Sequence, residues 1–225
     1  MKERPPEVDQ ENFQDATAIL REGGVFFWLD QGSLLGAVRE GGPIPWDPDI
    51  DLSIWSQDFP LLRKLRPRFE ASGFYFEAHE YKDCVFLARS GGRTIEIASQ
   101  TIEGAYVVRH NAEPRNRRWE RGVKALLGKL PERLFFRIRH LGRKWFPRPE
   151  VVFRSPAHFF SDFRRTEFLG CADVSIPVDA EDYLEFKYGP EWRRPRKEWD
   201  YSSDDGAARV RTPPRGGTDA REDAS

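Results

Sequence analysis

The sequence is poor in the features of membrane-spanning, secreted and disulfide-stabilised proteins. It has two cysteines among 225 residues, Cys84 and Cys171, which are too few for a disulfide framework and lack the spacing of a zinc site. No stretch approaches the roughly 18 apolar residues of a membrane span, and the first residues lack the apolar run of a signal peptide. We therefore expect a soluble, cytoplasmic protein.

The net charge is also small, at −1, but the charges are unevenly distributed. Residues 109–148 contain 13 Lys or Arg against three Glu. Apolar residues recur there at helical spacing from Trp119 to Phe146, with a break at Pro131, which predicts basic amphipathic helices. Such a surface suits a polyanion or a peripheral membrane contact, and the second of these would make the protein membrane-associated. The alternative is a helix pair with its apolar face on the core and its arginines in water.

Composition predicts one globular domain. Hydrophobic residues make up 39% and aromatic residues 13% of the chain, enough for a single core over residues 8–200. Residues 1–7 are expected to be flexible. Beyond Trp199 almost nothing is apolar, so residues 201–225 are expected to form a disordered tail.

Hydrophobic spacing and Gly or Pro breaks predict alternating helices and strands. In chain order these are a helix at 8–21, a strand at 25–29, a helix at 34–39, a strand at 49–55, a helix at 59–71, strands at 74–78, 84–88 and 94–98, and a late helix at 180–187. This order predicts an α/β (α+β) fold with a mixed β-sheet flanked by helices and a basic helical insertion.

The strand at 49–55 carries the most informative pattern, Trp-Asp-Pro-Asp-Ile-Asp at 46–51. With a period of two, Asp47, Asp49 and Asp51 share one face, and neighbours on that face lie roughly 7 Å apart. Carboxylates so aligned repel each other unless a cation or base compensates. Their oxygens suit Mg²⁺ or Mn²⁺. The alternative is an acidic strand face that is merely solvated.

Two further features favour the metal site. Gly32 and Ser33 follow a buried strand and open a helix, where N–H groups and the helix dipole bind phosphate; the alternative is that Ser33 only caps its own helix. Glu96 lies between Ile95 and Ile97 on an interior strand, where a carboxylate needs a partner. A metal would supply one, and a salt bridge to an arginine is the alternative.

Two segments resemble a known family. They are Trp-Leu-Asp-Gln-Gly-Ser-Leu-Leu-Gly-Ala-Val-Arg at 28–39 and Ile-Pro-Trp-Asp-Pro-Asp-Ile-Asp at 44–51, and they resemble the signature of the LicD and fukutin-related family. The family's closing segment is matched by Ile176-Pro177, Tyr183-Leu184, Tyr188-Gly189, Trp192 and Pro195. The resemblance spans roughly residues 28–195, and the basic segment is its least diagnostic part.

The resemblance implies a nucleotidyltransferase-like fold and an enzyme. It implies transfer of a substituted phosphate, such as phosphocholine or ribitol phosphate, from a CDP-linked donor to a glycan or glycoconjugate. By motif position Asp49 and Asp51 are the paired metal ligands, Asp47 is a possible additional one, and Glu96 occupies the later acidic position. The sequence departs from the family in having Glu96 where Asp is usual and Pro48 where an acid is common.

Roles follow for the remaining candidates. Gly32 and Ser33 would orient a donor phosphate. Arg39 could stabilise developing phosphate charge, with capping of its helix C-terminus as the alternative. The acceptor hydroxyl needs a base, for which Glu96 is favoured over Asp51.

Two other function classes compete with this interpretation. One is a catalytically silent binding partner in glycan modification, and intact carboxylates argue against it. The other is nucleotidyl transfer to RNA or protein, which the Ile-Pro-Trp-Asp and Tyr-Gly-x-x-Trp segments disfavour. No nucleic-acid partner is therefore expected, and the basic segment would serve an anionic acceptor or a membrane surface.

Overall fold

The computed structural model describes residues 6–79, 83–112, 150–201 and 203–211. In chain order the elements are α1 (Pro6–Glu22), β1 (Phe27–Leu29), α2 (Gln31–Glu40), β2 (Asp49–Trp55), α3 (Phe59–Lys64), α4 (Arg66–Ala71), β3 (Tyr75–His79), β4 (Cys84–Ala88), β5 (Thr94–Glu103), β6 (Tyr106–Ala112), β7 (Glu150–Pro156), β8 (Phe163–Phe168), β9 (Cys171–Pro177), α5 (Ala180–Tyr188) and β10 (Ala208–Arg211). Within these residues, no helix is long and apolar enough to cross a bilayer.

The strands form one mixed sheet in the order β10-β7-β6-β5-β2-β1-β9-β8, with the β3–β4 hairpin attached to β5. β2 runs parallel to β5 and antiparallel to β1, and β1 in turn runs parallel to β9. The long strand β5 belongs to three ladders, because its first part pairs with β2 on one side and β4 on the other, and its last three residues pair with β6. The predicted mixed α/β sheet flanked by helices is confirmed.

The core lies between the sheet and its helices. β1 runs through this core, which explains why all of its residues are apolar. β1 is buried along its whole length, with Trp28 in contact with the rings of Trp55 and Phe160. From α1, Phe13 packs edge-on against Phe168 of β8. β2, which carries Asp49 and Asp51, lies between β1 and β5 in the sheet, and β5, which carries Glu96, lies between β2 and β4 over its first part.

The predicted helix at 59–71 is two helices. α3 ends at Lys64 and α4 begins at Arg66, with Pro67 in the first turn of α4. Proline has no N–H to donate to the preceding turn, so a continuous helix would lose a hydrogen bond there.

The basic segment begins differently from the prediction. Residues 106–112 form β6, so Arg109 lies on a strand with its side chain buried, and not on the polar face of a helix. The run Tyr-Val-Val at 106–108 explains this, because aromatic and β-branched residues favour strands. The helices predicted over the rest of 109–148 lie outside the described residues, as does any contact they make.

The expectations for both ends of the chain need correction. α1 already begins at Pro6, inside the predicted flexible stretch 1–7. In the predicted tail 201–225, residues 208–211 form β10 and pair with β7. Just before it, Asp205 makes a buried ion pair of 2.6 Å with Lys187 of α5, and both side chains are 1% exposed. The segment is held by backbone pairing with β7 and by this buried ion pair, neither of which its low apolar content reveals.

Candidate active site

Three carboxylates converge at the start of β2. Asp49 and Asp51 lie on β2 at alternate positions, and Asp47 lies two residues before the strand. One carboxylate oxygen from each lies within 4.8 Å of the others, and all three side chains are partly buried. The alternation seen in the sequence therefore does bring these three predicted ligands together.

The crowding of these carboxylates changes their acidity. Burial raises the pKa of Asp47 to about 7, helped by a hydrogen bond with Asp49 and the charge of Asp49, while Arg93 opposes the shift. Burial also raises the pKa of Asp51 well above its usual value, and the charges of Asp49, Glu96 and Asp47 add to the effect. The protein thus leaves negative charge in this cluster undercompensated.

The N-terminus of α2 meets the same cluster. The N–H of Gly32 donates to Asp51 Oδ2 at 3.1 Å, and Ser33 Oγ accepts from the N–H of Asp51 at 2.8 Å. A Cβ on Gly32 would clash with Asp47 Oδ2, so a larger residue here would displace that carboxylate. The cap of α2 is Asp30, whose side chain accepts from the N–H of Gln31. The alternative in which Ser33 caps its own helix is therefore wrong.

Glu96 is the ladder partner of Asp51 across the parallel β2–β5 pair, so the two side chains share a face of the sheet. Its carboxylate forms an ion pair with the guanidinium of Arg109 from β6. The arginine partner left open from the sequence is confirmed. The roles of Glu96 as metal ligand and as base stay predictions.

Arg39 lies in the last turn of α2. Its Nη2 donates to Glu40 Oε1 at 2.6 Å and its Nη1 donates to the carbonyl oxygen of Trp192 at 3.3 Å. These contacts join the end of α2 to the segment after α5. Its role toward a phosphate stays a prediction.

Sequence reasoning missed Asp30, which is fully buried and accepts four hydrogen bonds. Oδ1 accepts from the N–H of Gln31 and from Tyr183 Oη at 2.9 Å. Oδ2 accepts from Ser53 Oγ at 2.8 Å and from Gln100 Nε2 at 2.5 Å. Asp30 thereby joins α2, β2, β5 and α5. Its position between an apolar strand and a helix start is typical of an N-cap and was the available signal.

Comparison with known proteins agrees with the resemblance seen in the motifs. Residues 24–126, a little under half of the chain, match the family described as LicD/FKTN/FKRP, nucleotidyltransferase domain. The ribitol-5-phosphate transferase FKTN of Mus musculus is 28% identical over 197 residues, covering 86% of this chain and 35% of FKTN. The ribitol 5-phosphate transferase FKRP of Homo sapiens is 44% identical over 57 residues, covering 25% of this chain and 12% of FKRP. The chain thus spans about a third or less of the length of these relatives.

Among solved structures, the lincosamide antibiotic adenylyltransferase LnuA superposes with a TM-score of 0.43 and 13% identity, over 78% of this chain and 84% of that one. The similarity to the LicD/FKTN/FKRP domain lies in the sequence match and in the motifs within it. Those motifs include the Gly32–Ser33 helix start and the Asp49 and Asp51 pair. The chain is similar to the LicD and fukutin-related proteins, through the match of residues 24–126 to their nucleotidyltransferase domain.

Proposed function

We propose that this chain is a metal-dependent transferase that moves a substituted phosphate, such as ribitol phosphate or phosphocholine, from a CDP-linked donor to a glycan or glycoconjugate acceptor. The family supports the reaction class, since FKTN and FKRP are named as ribitol-5-phosphate transferases. The observation that carries the proposal is the convergence of Asp47, Asp49 and Asp51, with oxygens within 4.8 Å of one another.

These three side chains fit Mg²⁺ or Mn²⁺. Carboxylate oxygens are the ligands that such hard cations prefer. Burial and mutual repulsion raise the pKa values of Asp47 and Asp51, and a bound divalent cation would relieve the repulsion. When bound, the cation would neutralise the donor's phosphates and the charge that develops as the nucleotide leaves.

The chain's own residues would bind and orient the reactants. Gly32 and Ser33 tie the start of α2 to Asp51, so a donor phosphate held at the carboxylates would also meet the positive end of a helix. Glu96, on the same face of the sheet, is the candidate to take the proton of the acceptor hydroxyl. The hydroxyl oxygen forms the new bond to phosphorus, the bond to the departing nucleotide phosphate breaks, and CMP leaves.

A thermal-shift screen tests the proposal. The full chain would be heated with CDP-ribitol, CDP-choline or CDP-glycerol, with and without Mg²⁺ or Mn²⁺. A saturating donor at about 100 times its Kd adds roughly 2.7 kcal/mol of stability, a shift of several degrees in Tm. Stabilisation by one donor that requires metal supports the proposal. A shift that is equal without metal, or no shift with any donor, contradicts it.

A turnover assay separates the enzyme from its alternatives. Release of CMP from the stabilising donor, in the presence of a glycan acceptor, is expected of the transferase. A catalytically silent partner would bind the donor and release no CMP. A nucleotidyltransferase acting on RNA or protein would instead leave the nucleotide on its acceptor.

A further inference from the structure

The residues that bring Asp47 to the cluster form a turn at 44–47. The N–H of Asp47 donates to the carbonyl oxygen of Ile44 at 3.0 Å, which closes the turn. The turn ends before β2 begins at Asp49, so no strand ladder holds it in place. Its position must be fixed by contacts from outside the ladder of β2.

Arg93 supplies two such contacts from the connection between β4 and β5. Its Nε donates to the carbonyl oxygen of Asp47 at 2.9 Å, and its Nη2 donates to the carbonyl oxygen of Ile44 at 3.2 Å. One guanidinium therefore binds both ends of the turn. Its planar donors have fixed directions, so the spacing of the two carbonyl groups is fixed as well.

Asp9 in the first turn of α1 orients this guanidinium. Arg93 Nη1 donates to Asp9 Oδ2 at 2.8 Å, and the backbone N–H of Arg93 donates to Asp9 Oδ1 at 2.6 Å. The side chains are 10% and 3% exposed. An ion pair this buried is favourable only with good geometry and further hydrogen bonds, and both are present.

We propose that Arg93, oriented by Asp9, is a positioning residue that fixes the turn at 44–47 and so places Asp47 among the metal ligands. The inference rests on the proposed function, because it requires the three carboxylates to bind a divalent cation. Groups that orient metal ligands typically contribute 10–100-fold to metal affinity. The role depends on the three-donor geometry of arginine and not on its charge alone.

The test is calorimetric titration of Mn²⁺ into the metal-free full chain, comparing wild type with Arg93→Lys. Lysine keeps the charge but cannot bind Asp9 and both carbonyl groups in the same geometry. Arg89→Lys is the matched control. Arg89 also bonds α1, through Asn12 at 2.5 Å and Asp15 at 2.7 Å, and its other hydrogen bond goes to the carbonyl oxygen of Ser72.

We expect Arg93→Lys to weaken Mn²⁺ binding by about 10–100-fold, while Arg89→Lys binds as wild type does. Equal Mn²⁺ affinity in a folded Arg93→Lys variant would overturn the inference and leave the proposed function intact. If that variant does not fold, Asp9→Asn replaces it in the test, because it weakens the contact that orients Arg93 and leaves Arg93 itself unchanged. Weaker Mn²⁺ binding by Asp9→Asn supports the inference, and unchanged Mn²⁺ binding overturns it. A wild-type chain that binds no Mn²⁺ would overturn both.

Discussion

Arg109 and Glu96 form an ion pair inside the sheet, with side chains only 10% and 17% exposed. Because Glu96 is the ladder partner of Asp51, this pair places a positive charge from β6 beside the carboxylate cluster. Arg109 acts to lower the pKa of Asp51, against burial and the neighbouring carboxylates. Arg109 thus offsets part of the repulsion among the carboxylates, to which Glu96 itself contributes and which a divalent cation would relieve.

Removing one partner of this ion pair should destabilise the folded chain. We expect Arg109→Met to lower the free energy of unfolding by about 3–5 kcal/mol, because it leaves the Glu96 carboxylate buried without its counter-charge. The double variant Arg109→Met with Glu96→Gln should recover part of the loss. Urea unfolding of the metal-free chain measures both.

The exposed pair Arg66–Glu70, with side chains 58% and 47% exposed, provides the control. Arg66→Met should cost under about 1 kcal/mol. An Arg109→Met variant that loses no more than this control would contradict the account of the buried pair.

Replacing Asp51 with a neutral residue should abolish metal binding without lowering the stability of the metal-free chain. The raised pKa of Asp51 means that its charge is unfavourable in the fold, so Asp51→Asn should leave the metal-free chain as stable as wild type or more stable. It should also abolish stabilisation by Mn²⁺. Melting curves with EDTA and with Mn²⁺ test this, with the exposed Asp182→Asn as control. An Asp51→Asn variant still stabilised by Mn²⁺ like wild type would contradict the ligand assignment.

Asp47 should make stability depend on pH. Its folded pKa of about 7 lies above the usual 3.8, so the folded chain holds this proton more tightly than the unfolded chain does. The resulting stability is fully present below pH 3.8 and is lost as the pH rises to about 7. Mn²⁺ competes with the same proton, so its affinity should rise over the upper part of this range.

The measurement is Tm against pH for wild type and Asp47→Asn in EDTA, repeated with Mn²⁺. Asp47→Asn should flatten the part of the metal-free curve that falls between pH 4 and 7. Parallel curves for the two proteins would show that Asp47 is not the titrating group.

The segment before β10 should be required for stability. Ending the chain at residue 202 removes Asp205 and leaves Lys187 buried without its counter-charge, which should lower Tm by roughly 10 °C. Ending it after Arg211 should leave Tm unchanged, since residues 212–225 have almost no apolar side chains. Equal melting of the two truncated chains would contradict this role for Asp205 and β10.

The local part of the site could be predicted from the sequence. The alternation of side chains along a strand predicts that Asp49 and Asp51 share one face of the sheet. It predicts the same face for Asp47, two residues earlier. Gly32 could be placed by the helix start that follows β1. These inferences succeeded because each depends on neighbours in the chain.

The supporting contacts could not be predicted, because they join residues far apart in the sequence. Arg93 binds Asp9, 84 residues earlier, and Asp30 accepts from Tyr183, 153 residues later. Nothing in the local pattern distinguishes Arg93 or Asp9 from solvated charges, and the N-cap position of Asp30 does not reveal Tyr183 as its partner. Arg109 was predicted to lie in a basic helical segment because many Lys and Arg residues follow it. It lies instead on β6.

We propose that Asp47, Asp49 and Asp51 together bind a divalent cation that also binds the donor's phosphates. Anomalous scattering from crystals grown with Mn²⁺ and a CDP-linked donor tests it most directly. We expect an anomalous peak bonded to oxygens of all three carboxylates, at roughly 2.0–2.2 Å for a small hard cation, with phosphate oxygens completing its coordination. A bound donor whose phosphates lie away from these carboxylates, with no peak between them, would contradict the account.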